Sequence, residues 1–197
     1  MENICVFGAG SQNVDPRYFE EAFALGRLIA QNGYGLVFGG GNSGLMGQVA
    51  RGALEYNVPE LTGIAPEFMN RKGVLFEHCT QLILTATMHE RKQAMEAIAD
   101  AFVVLPGGVG TFEEFFEVLT FKSLGLHKKA IVLLNTNGFF DAAIQMLKDA
   151  SDKLFIPDEC LAAIEVASSP RDVIACLDNY EYSEIMPKWL YYKEDKI

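Results

Sequence analysis

The sequence has little positive charge and no long hydrophobic run. Lysine and arginine together number 16, against 26 aspartates and glutamates, and the formal net charge is -10. A basic surface able to hold a phosphate backbone is therefore not expected, and we predict that nucleic acid is not a partner. No apolar run approaches the roughly 20 residues that span a bilayer, so a membrane partner is not expected either.

Cysteine and histidine are also scarce, with four and three copies in 197 residues. Cys5, Cys79, Cys160 and Cys176 are scattered, and none has a cysteine or histidine neighbour at the spacing of a zinc site. No metal centre is predicted. The chain enters the strand-like run 4-ICVF-7 without a basic leader segment, and its thiols look like free core residues. Together these features predict a cytoplasmic protein.

Two common catalytic signatures are missing. The chain contains neither GxxxxGK[ST] nor GxSxG, which argues against a P-loop kinase and against an ordinary serine hydrolase. Nothing singles out a lysine for a Schiff base, so pyridoxal phosphate chemistry is not indicated. The sequence therefore predicts neither an organic cofactor nor a metal.

Short apolar runs alternate with helical patterns along the chain. With 50% hydrophobic and 21% charged residues, its composition is that of a soluble globular domain. The alternation predicts a single-domain, Rossmann-like, doubly wound α/β fold, with a mostly parallel sheet and helices on both faces. We place this domain at residues 1–180 and a C-terminal tail at 181–197, packed on the domain or on a partner subunit. Strands are predicted at 3–7, 35–38, 61–65, 101–105 and 130–134, and helices at 16–31, 43–56, 87–99, 111–123, 138–150 and 170–178.

Three glycine-rich turns follow predicted strands: 8-GAGS-11, 39-GGGNSGLMG-47 and 107-GGVGT-111. The carboxyl ends of parallel strands share one edge of the sheet, where ligands bind in such folds. The second turn contains GxGxxG, a weak sign of dinucleotide binding because that pattern usually follows the first strand. Any one turn could serve only close packing between strand and helix. Three turns on one edge favour a binding cleft.

The third turn carries the strongest local signal. A strand, the turn Pro-Gly-Gly-x-Gly-Thr and a helix N-terminus together form an anion site, because glycine lets backbone N–H groups approach a ligand and the helix dipole adds positive charge. Such a site suits a phosphate, and Glu114 would stand beside whatever the phosphate carries. Thr111 and Glu114 also have the spacing of a capping box, an interpretation that the sequence supports at least as well as catalysis.

The predicted helix at 87–99 places an arginine on an apolar face. Met88, Met95 and Ile98 form one stripe, and Arg91 falls on it, whereas Lys92 lies off it. An arginine on a buried stripe needs an anion or a carboxylate, because burying it unpaired is costly. A snorkelling side chain or a purely structural ion pair is the alternative.

The helix predicted at 111–123 is unusually apolar. Its apolar faces exceed what one side of a sheet needs, which predicts a homodimer with a largely apolar interface. Glu113 and Glu117 are four residues apart and could form a solvated acidic face. The apolar side chains that we assign to the core or to a subunit contact are Phe112, Phe115, Phe116 and Leu119.

The segments 88-MHERKQAM-95 and 106-PGGVGTFEE-114 occur in the order typical of one family. With its PGGxGTxxE motif, the chain resembles the LOG family, the cytokinin riboside 5'-monophosphate phosphoribohydrolases, whose members were long mislabelled "lysine decarboxylase". The resemblance extends over about residues 3–150 and includes 5-CVFGAGS-11, 39-GGGNSGLMG-47 and 125-GLHKKAIVLLNTNGFFD-141. The first turn, with Gly-Ala-Gly-Ser, departs from the Cys-Gly-Ser-Ser-like turn that is frequent in the family.

The resemblance implies a function in cytokinin biosynthesis: hydrolysis of the N-glycosidic bond of a nucleoside 5'-monophosphate to a free base and ribose 5-phosphate. It places the catalytic pair at Arg91 and Glu114. It implies no cofactor, and it implies a homodimer or higher homo-oligomer with sites near the subunit interface. Glu114 could stabilise an oxocarbenium-like state, bind ribose hydroxyls, activate water or form a covalent intermediate. The implied substrate-binding residues are Gly10, Ser11, Gly40, Gly41, Ser43, Gly44, Met88, Lys92, Gly107, Gly108, Gly110 and Thr111.

Two other classes stay open on the sequence. Proteins similar to this family include molybdenum-cofactor carriers with similar glycine turns, so a non-catalytic nucleotide or cofactor carrier is one alternative. The other is a nicotinamide-dependent oxidoreductase, suggested by GxGxxG. The joint presence of Arg91 and Glu114 favours the hydrolase. The sequence leaves open whether the natural base is a prenylated adenine or a plain purine or pyrimidine.

Overall fold

The structure is a computed structural model and describes residues 1–182. The tail predicted at 181–197 therefore falls, from residue 183 onward, outside the described residues. Within residues 1–182, every helix is too short or too polar to cross a membrane.

Seven strands form one sheet, and every pairing among them is parallel. Their order across the sheet is β4-β3-β2-β1-β5-β6-β7. This arrangement confirms the predicted Rossmann-like α/β class. The strands are β1 Asn3–Phe7, β2 Gly35–Phe38, β3 Leu61–Pro66, β4 Gln81–Thr85, β5 Ala101–Val104, β6 Ala130–Leu134 and β7 Glu165–Ala167.

In the described part of the chain, seven α-helices connect and cover these strands. They are α1 Pro16–Gln31, α2 Gly44–Glu55, α3 Met88–Ile98, α4 Val109–Ser123, α5 Asp141–Asp152, α6 Glu159–Ala162 and α7 Pro170–Asp178, with short 3-10 turns at Glu67–Met69 and Thr136–Gly138. All predicted strands and helices are present, and α4 begins two residues earlier than predicted. Strands β4 and β7, which lie at the two edges of the sheet, were not predicted from the sequence. Both edge strands are partly exposed, so they lack the continuous apolar run that marked the others.

Helices cover both faces of the sheet, which explains why its central strands are apolar throughout. Successive side chains of β1 point to opposite faces. Ile4 packs in a core that includes residues of α1, α2 and α7. Cys5 packs in a second core with residues of α3, α4 and α5. Each fully buried large apolar side chain contributes roughly 1.5–3 kcal/mol to folding.

The strand order creates a crevice beside β1. From β1 the chain builds outward through β2, β3 and β4, and then returns to place β5 on the other side of β1. The turns after β1 and β5 therefore lead to helices on opposite faces and diverge from one another. Such a topological switch point is where open α/β sheets bind ligands. The fold thus brings the first and third glycine turns to the two sides of one crevice.

Candidate active site

A cleft of about 380 Å³ lies at this carboxyl edge of the sheet. All three glycine turns contribute to it, together with the beginnings of α3 and α4. The expectation that the three turns share one edge is therefore met. The predicted site residues that line the cleft are Gly10, Ser11, Gly41, Ser43, Met88, Arg91, Gly108, Gly110, Thr111 and Glu114.

The third turn presents the N-terminus of α4 to the cleft. Gly108 is the N-cap residue and has no side chain with which to cap the helix. The first backbone N–H groups of a helix have no partner within it and carry partial positive charge. Apart from its chain neighbours and the adjoining backbone of α4, a Cβ added at Gly108 or at Gly110 would meet no heavy atom of residues 1–182 within 4 Å, so these positions are open. The turn has the features of an anion site.

Arg91 and Glu114 meet at the floor of the cleft. Arg91 Nη1 donates to Glu114 Oε1 at 2.7 Å, and Arg91 Nε donates to the carbonyl oxygen of Ile64 at 3.0 Å. Both side chains are nearly buried, with 7% and 11% of their surface exposed. A carboxylate and a guanidinium are therefore held side by side within reach of a ligand on the α4 N-terminus.

This contact overturns the capping-box interpretation of Thr111 and Glu114. Helix α4 begins at Val109, so Thr111 lies inside its first turn rather than at the N-cap. Glu114 Oε1 accepts from Arg91 on another helix. The side chain of Thr111 instead lies against Gly107, where an added Cβ would clash with it. Thr111 and Glu114 have the residue spacing of a capping box. Because α4 begins before Thr111, however, Glu114 does not cap its N-terminus.

Burial governs the protonation of Glu114. Loss of hydration raises the pKa of its carboxyl above the ordinary value, and Arg91 opposes that rise by charge and by hydrogen bond. The Cys5 thiol lies buried beneath the pair, and its pKa is raised well above the usual value, first by burial and then by the Glu114 charge. Glu114 is therefore a carboxyl whose charge is poorly hydrated and depends on Arg91.

Hydrogen bonds to backbone carbonyl oxygens hold the walls of the cleft together. Ser43 Oγ donates to the carbonyl oxygen of Gly10 at 3.1 Å, which joins the second turn to the first. The backbone N–H of Asn42 donates to the Val74 carbonyl oxygen at 2.9 Å, which joins the second turn to the segment after β3. These bonds join segments that lie far apart in the chain into one cleft wall.

Four predicted binding residues do not line this cleft: Gly40, Gly44, Lys92 and Gly107. Gly40 and Gly44 adopt positive φ values of +71° and +64° and shape the second turn from behind. Gly107 lines an adjoining cavity together with Gly108. Lys92 is paired elsewhere.

The burial of Lys92 also differs from the prediction. This lysine was predicted to lie off the buried stripe, yet it is buried. Its ammonium group bonds Glu113 and lies 2.8 Å from Glu117 Oε2. Helix α4 packs its acidic side chains against α3, so these two glutamates form an interhelical ion-pair cluster rather than a purely solvated face.

Several lining residues were not predicted. Met46, Met69, Val74 and Leu75 give the cleft an apolar wall. Met46 lies in the second turn, and the other three lie in the irregular segment 66–80, where no periodicity indicated a role. Backbone pairing brings that segment to the second turn, since the Phe76 amide donates to the Gly40 carbonyl oxygen at 2.9 Å.

No cluster of three or more histidine, cysteine, aspartate or glutamate side chains able to hold a metal ion occurs among residues 1–182.

Comparisons with known proteins agree on one family. A family model described as "Possible lysine decarboxylase" matches residues 46–177. The cytokinin riboside 5'-monophosphate phosphoribohydrolase LOG7 of Arabidopsis thaliana is 34% identical, over 100% of this chain and 91% of the relative. The enzyme named LOG from Oryza sativa subsp. japonica is 36% identical, over 91% of this chain and 74% of the relative.

Solved structures share the fold at lower identity. A molybdenum-cofactor carrier protein from Chlamydomonas reinhardtii is 22% identical, with a TM-score of 0.69 over 90% of this chain and 95% of its own. A molybdenum-cofactor binding protein from Rippkaea orientalis is 24% identical, with a TM-score of 0.67 over 90% of this chain and 95% of its own. At these identities the likeness concerns the fold alone.

Proposed function

The chain belongs to the LOG family, and from that premise we propose that it hydrolyses the N-glycosidic bond of cytokinin nucleoside 5'-monophosphates. The products are the free base and ribose 5-phosphate. The observation that carries this proposal is the buried Arg91–Glu114 pair beside the open N-terminus of α4. A phosphate site and a carboxylate in one cleft suit a phosphorylated ribose whose glycosidic bond is to be broken.

The 5'-phosphate binds at the third turn. Backbone N–H groups of the first turn of α4 donate to its oxygens, and the dipole of the 15-residue helix favours its negative charge. Gly108 and Gly110 leave space for the phosphate to approach the backbone. This anchor fixes the ribose relative to Glu114, which lies on the same helix.

Glu114 acts on the ribose. As the C–N bond breaks, the bonding electrons leave with the base, and positive charge develops on the sugar. The Glu114 carboxylate stabilises that charge, most effectively where water is excluded. A water oxygen then bonds to the anomeric carbon, and its proton balances the departing base. A role for Glu114 as base or as nucleophile would use the same position.

Arg91 holds the carboxylate in place. Its guanidinium binds the Ile64 carbonyl oxygen and Glu114 at the same time, so the carboxylate has one orientation. The positive charge also opposes the rise in the Glu114 pKa caused by burial, which keeps more of the carboxyl ionised. The apolar wall formed by Met46, Met69, Val74 and Leu75 offers a surface for a base.

We further propose that the enzyme is a cytoplasmic homodimer. Its four cysteines are unpaired, as is usual for a reducing compartment. After α4 the chain exposes Leu124 and Leu126, and Leu126 lines a groove between α3 and α4 together with Phe121. A second subunit on this apolar surface would remove it from water.

A product assay tests the reaction. The protein is incubated with AMP, GMP, CMP and isopentenyladenosine monophosphate, and in parallel with the corresponding nucleosides. We expect free base and ribose 5-phosphate in equal amounts from a monophosphate, with turnover of the matching nucleoside lower by on the order of 100-fold or more, because the nucleoside cannot use the phosphate anchor. Comparable turnover of adenosine and AMP would contradict the phosphate assignment.

A binding titration run beside this assay separates the hydrolase from the two alternatives. Saturable binding of a nucleotide without release of base would favour a carrier. Saturable binding of a nicotinamide dinucleotide would favour an oxidoreductase. Release of free base by the wild-type protein, lost in Glu114→Gln, supports the hydrolase.

A further inference from the structure

Gly39 is the first residue after β2 and is buried beside the guanidinium of Arg91. A Cβ built at Gly39 would run into Arg91 Nη2 and would lie 3.4 Å from Arg91 Cζ. The third neighbour is the sulfur of Met46, at 3.0 Å. The space that a side chain would need at this position is therefore occupied by the arginine itself.

The backbone does not require glycine at position 39. Gly40 has a φ of +71°, a conformation that side chains disfavour, but Gly39 is not among the residues with positive φ. An alanine at position 39 would therefore strain no backbone dihedral. The nearest atoms that its Cβ would meet belong to the side chains of Arg91 and Met46 and not to the backbone. Glycine at position 39 leaves space for the Arg91 side chain. The backbone conformation of the turn does not require it.

The guanidinium is anchored on three sides. Nε binds the Ile64 carbonyl oxygen, Nη1 binds Glu114, and Nη2 lies against Gly39. The group is planar and rigid, so a push on Nη2 also moves Nη1. A methyl group at position 39 would thus shift the guanidinium nitrogen that binds Glu114, although the methyl group does not touch Glu114.

We propose that Gly39 is a positioning residue for Arg91, and that its missing side chain provides the space in which the guanidinium aligns the Glu114 carboxylate. The inference deepens the proposed function and rests on it for its catalytic consequence. Its structural part, the competition between a side chain at position 39 and Arg91, is independent of what the cleft binds.

The variant Gly39→Ala tests the proposal by activity. We expect kcat to fall by about 100-fold, as a displacement of about 1 Å at a catalytic group can do. KM for the monophosphate should change little, because the N-terminus of α4 is untouched. The acidic limb of the pH profile should move to higher pH, because a displaced arginine stabilises the ionised Glu114 less well. A fall in activity with an unchanged limb would argue for mere loss of folded protein and against the proposal.

A double-mutant cycle in thermal unfolding tests the structural part without any turnover. Gly39→Ala should lower the melting temperature in the wild-type background, because it disturbs the buried ion pair. In the Arg91→Ala background the same change should have no such effect, since the space is then free. Equal losses in both backgrounds would overturn the proposal. Loss of the effect in a Met46→Ala background instead would assign the clash to Met46, and would overturn it as well.

Gly35→Ala is the matched control. Gly35 begins the same strand, and a Cβ there meets the side-chain oxygen of Asn3, far from the cleft. It should leave kcat and the pH profile unchanged. A wild-type protein that releases no base would refute the proposed function and leave the thermal cycle as a valid test of Gly39. An active wild type with a fully active Gly39→Ala would refute the inference alone.

Discussion

Arg91 and Glu114 form a buried ion pair that, at the residue scale, we propose serves chemistry rather than stability. Taking both charges out of water costs about as much as their attraction returns. The pKa of Glu114 is raised in spite of the neighbouring Arg91. Loss of hydration on burial therefore affects this pKa more strongly than the charge and the hydrogen bond of Arg91 do. This ion pair adds little to the free energy of unfolding, and it lies in a cleft. We therefore propose a catalytic role for it.

The first prediction separates catalysis from architecture. Glu114→Gln removes the negative charge but keeps an oxygen that can accept from Arg91. Activity should fall by on the order of 100-fold or more, because the developing positive charge on the sugar loses its partner. The melting temperature should move by only a few degrees, about 2–4 °C per kcal/mol. Steady-state kinetics and calorimetry measure the two effects.

Glu113→Gln is the control for this experiment. Glu113 precedes Glu114 in the chain, and its side chain is 53% exposed and pairs with Lys92. It should retain nearly normal turnover. If Glu114→Gln also retained nearly normal turnover, the glycosidase mechanism proposed for this cleft would be wrong.

A second prediction concerns the pH dependence of activity. Because burial raises the Glu114 pKa, the residue gains its charge at a higher pH than an ordinary glutamate, whose pKa is about 4.3. If the ionised form is the active one, the acidic limb of kcat/KM should lie above that value. A pH–rate profile of the wild type checks this. A limb at or below the ordinary value would contradict the assigned environment.

At the scale of elements, close contact between helices decides which positions tolerate change. Helices α1 and α2 pack on the same face of the sheet and touch through glycines. A Cβ at Gly52 would run into the Phe23 carbonyl oxygen, and one at Gly26 into that of Val49. These neighbours are backbone atoms, so relief requires movement of a whole helix.

The third prediction follows from that contact. Gly52→Ala should destabilise the fold by about 1–3 kcal/mol or more, although alanine is the better helix former, because overpacking outweighs propensity. Urea unfolding would measure the change. Glu20→Ala, at an exposed position of α1, should have a small effect. A more stable Gly52→Ala would mean that the two helices lie farther apart than described.

A fourth prediction concerns the charge cluster between α3 and α4. Burial, and then the neighbouring Glu117, raise the pKa of Glu96 to about 7, while Lys92 and Lys129 oppose the rise. The folded state therefore holds this proton more tightly than the unfolded chain does. This difference in pKa contributes to the free energy of unfolding. The contribution is fully present below a pH of about 4.3, the pKa of glutamate in the unfolded chain, and it is lost as the pH rises through about 7. Glu96→Gln should remove this component.

Melting temperatures measured from pH 5 to pH 8 would test the Glu96 prediction. The wild type should lose more stability over this range than Glu96→Gln. Glu20→Gln, on the exposed face of α1, should behave like the wild type. Parallel curves for the wild type and Glu96→Gln would show that Glu96 titrates normally.

For the molecule as a whole, the surface beside α4 predicts self-association. Leu126 is 68% exposed and borders the groove between α3 and α4, which also contains Glu96 and Glu117. An apolar surface of this kind gains stability when a second copy covers it.

The fifth prediction is therefore a homodimer at micromolar concentration. Sedimentation should give about twice the 21.7 kDa of one chain. Leu126→Glu should shift the protein toward monomer, because it places a charge in the interface, and its exposed position should spare the fold of each subunit. Leu154→Glu, outside that groove, is the comparison. A wild type that sediments only as a 21.7 kDa species would contradict the dimer.

The sequence by itself determined the class of the fold and the candidate chemistry. Buried strands such as β1 and β6 are continuous apolar runs between glycine turns and amphipathic helices, so local composition is enough to mark them. The third turn is likewise a local feature, because its glycines and the following helix lie within a few residues. The stripe on α3 indicated that Arg91 needs an anion or a carboxylate if it is buried.

Only the tertiary structure decided which groups meet. Arg91 and Glu114 are on different helices and 23 residues apart, and their contact depends on how α3 and α4 pack on the sheet. The same packing buries Lys92, which helix periodicity alone placed outside. The edge strands β4 and β7 and the apolar cleft wall depend on pairing with distant backbone, for which no local pattern exists. Residue spacing reports neighbours along one element, whereas the candidate active site is formed by contacts between elements.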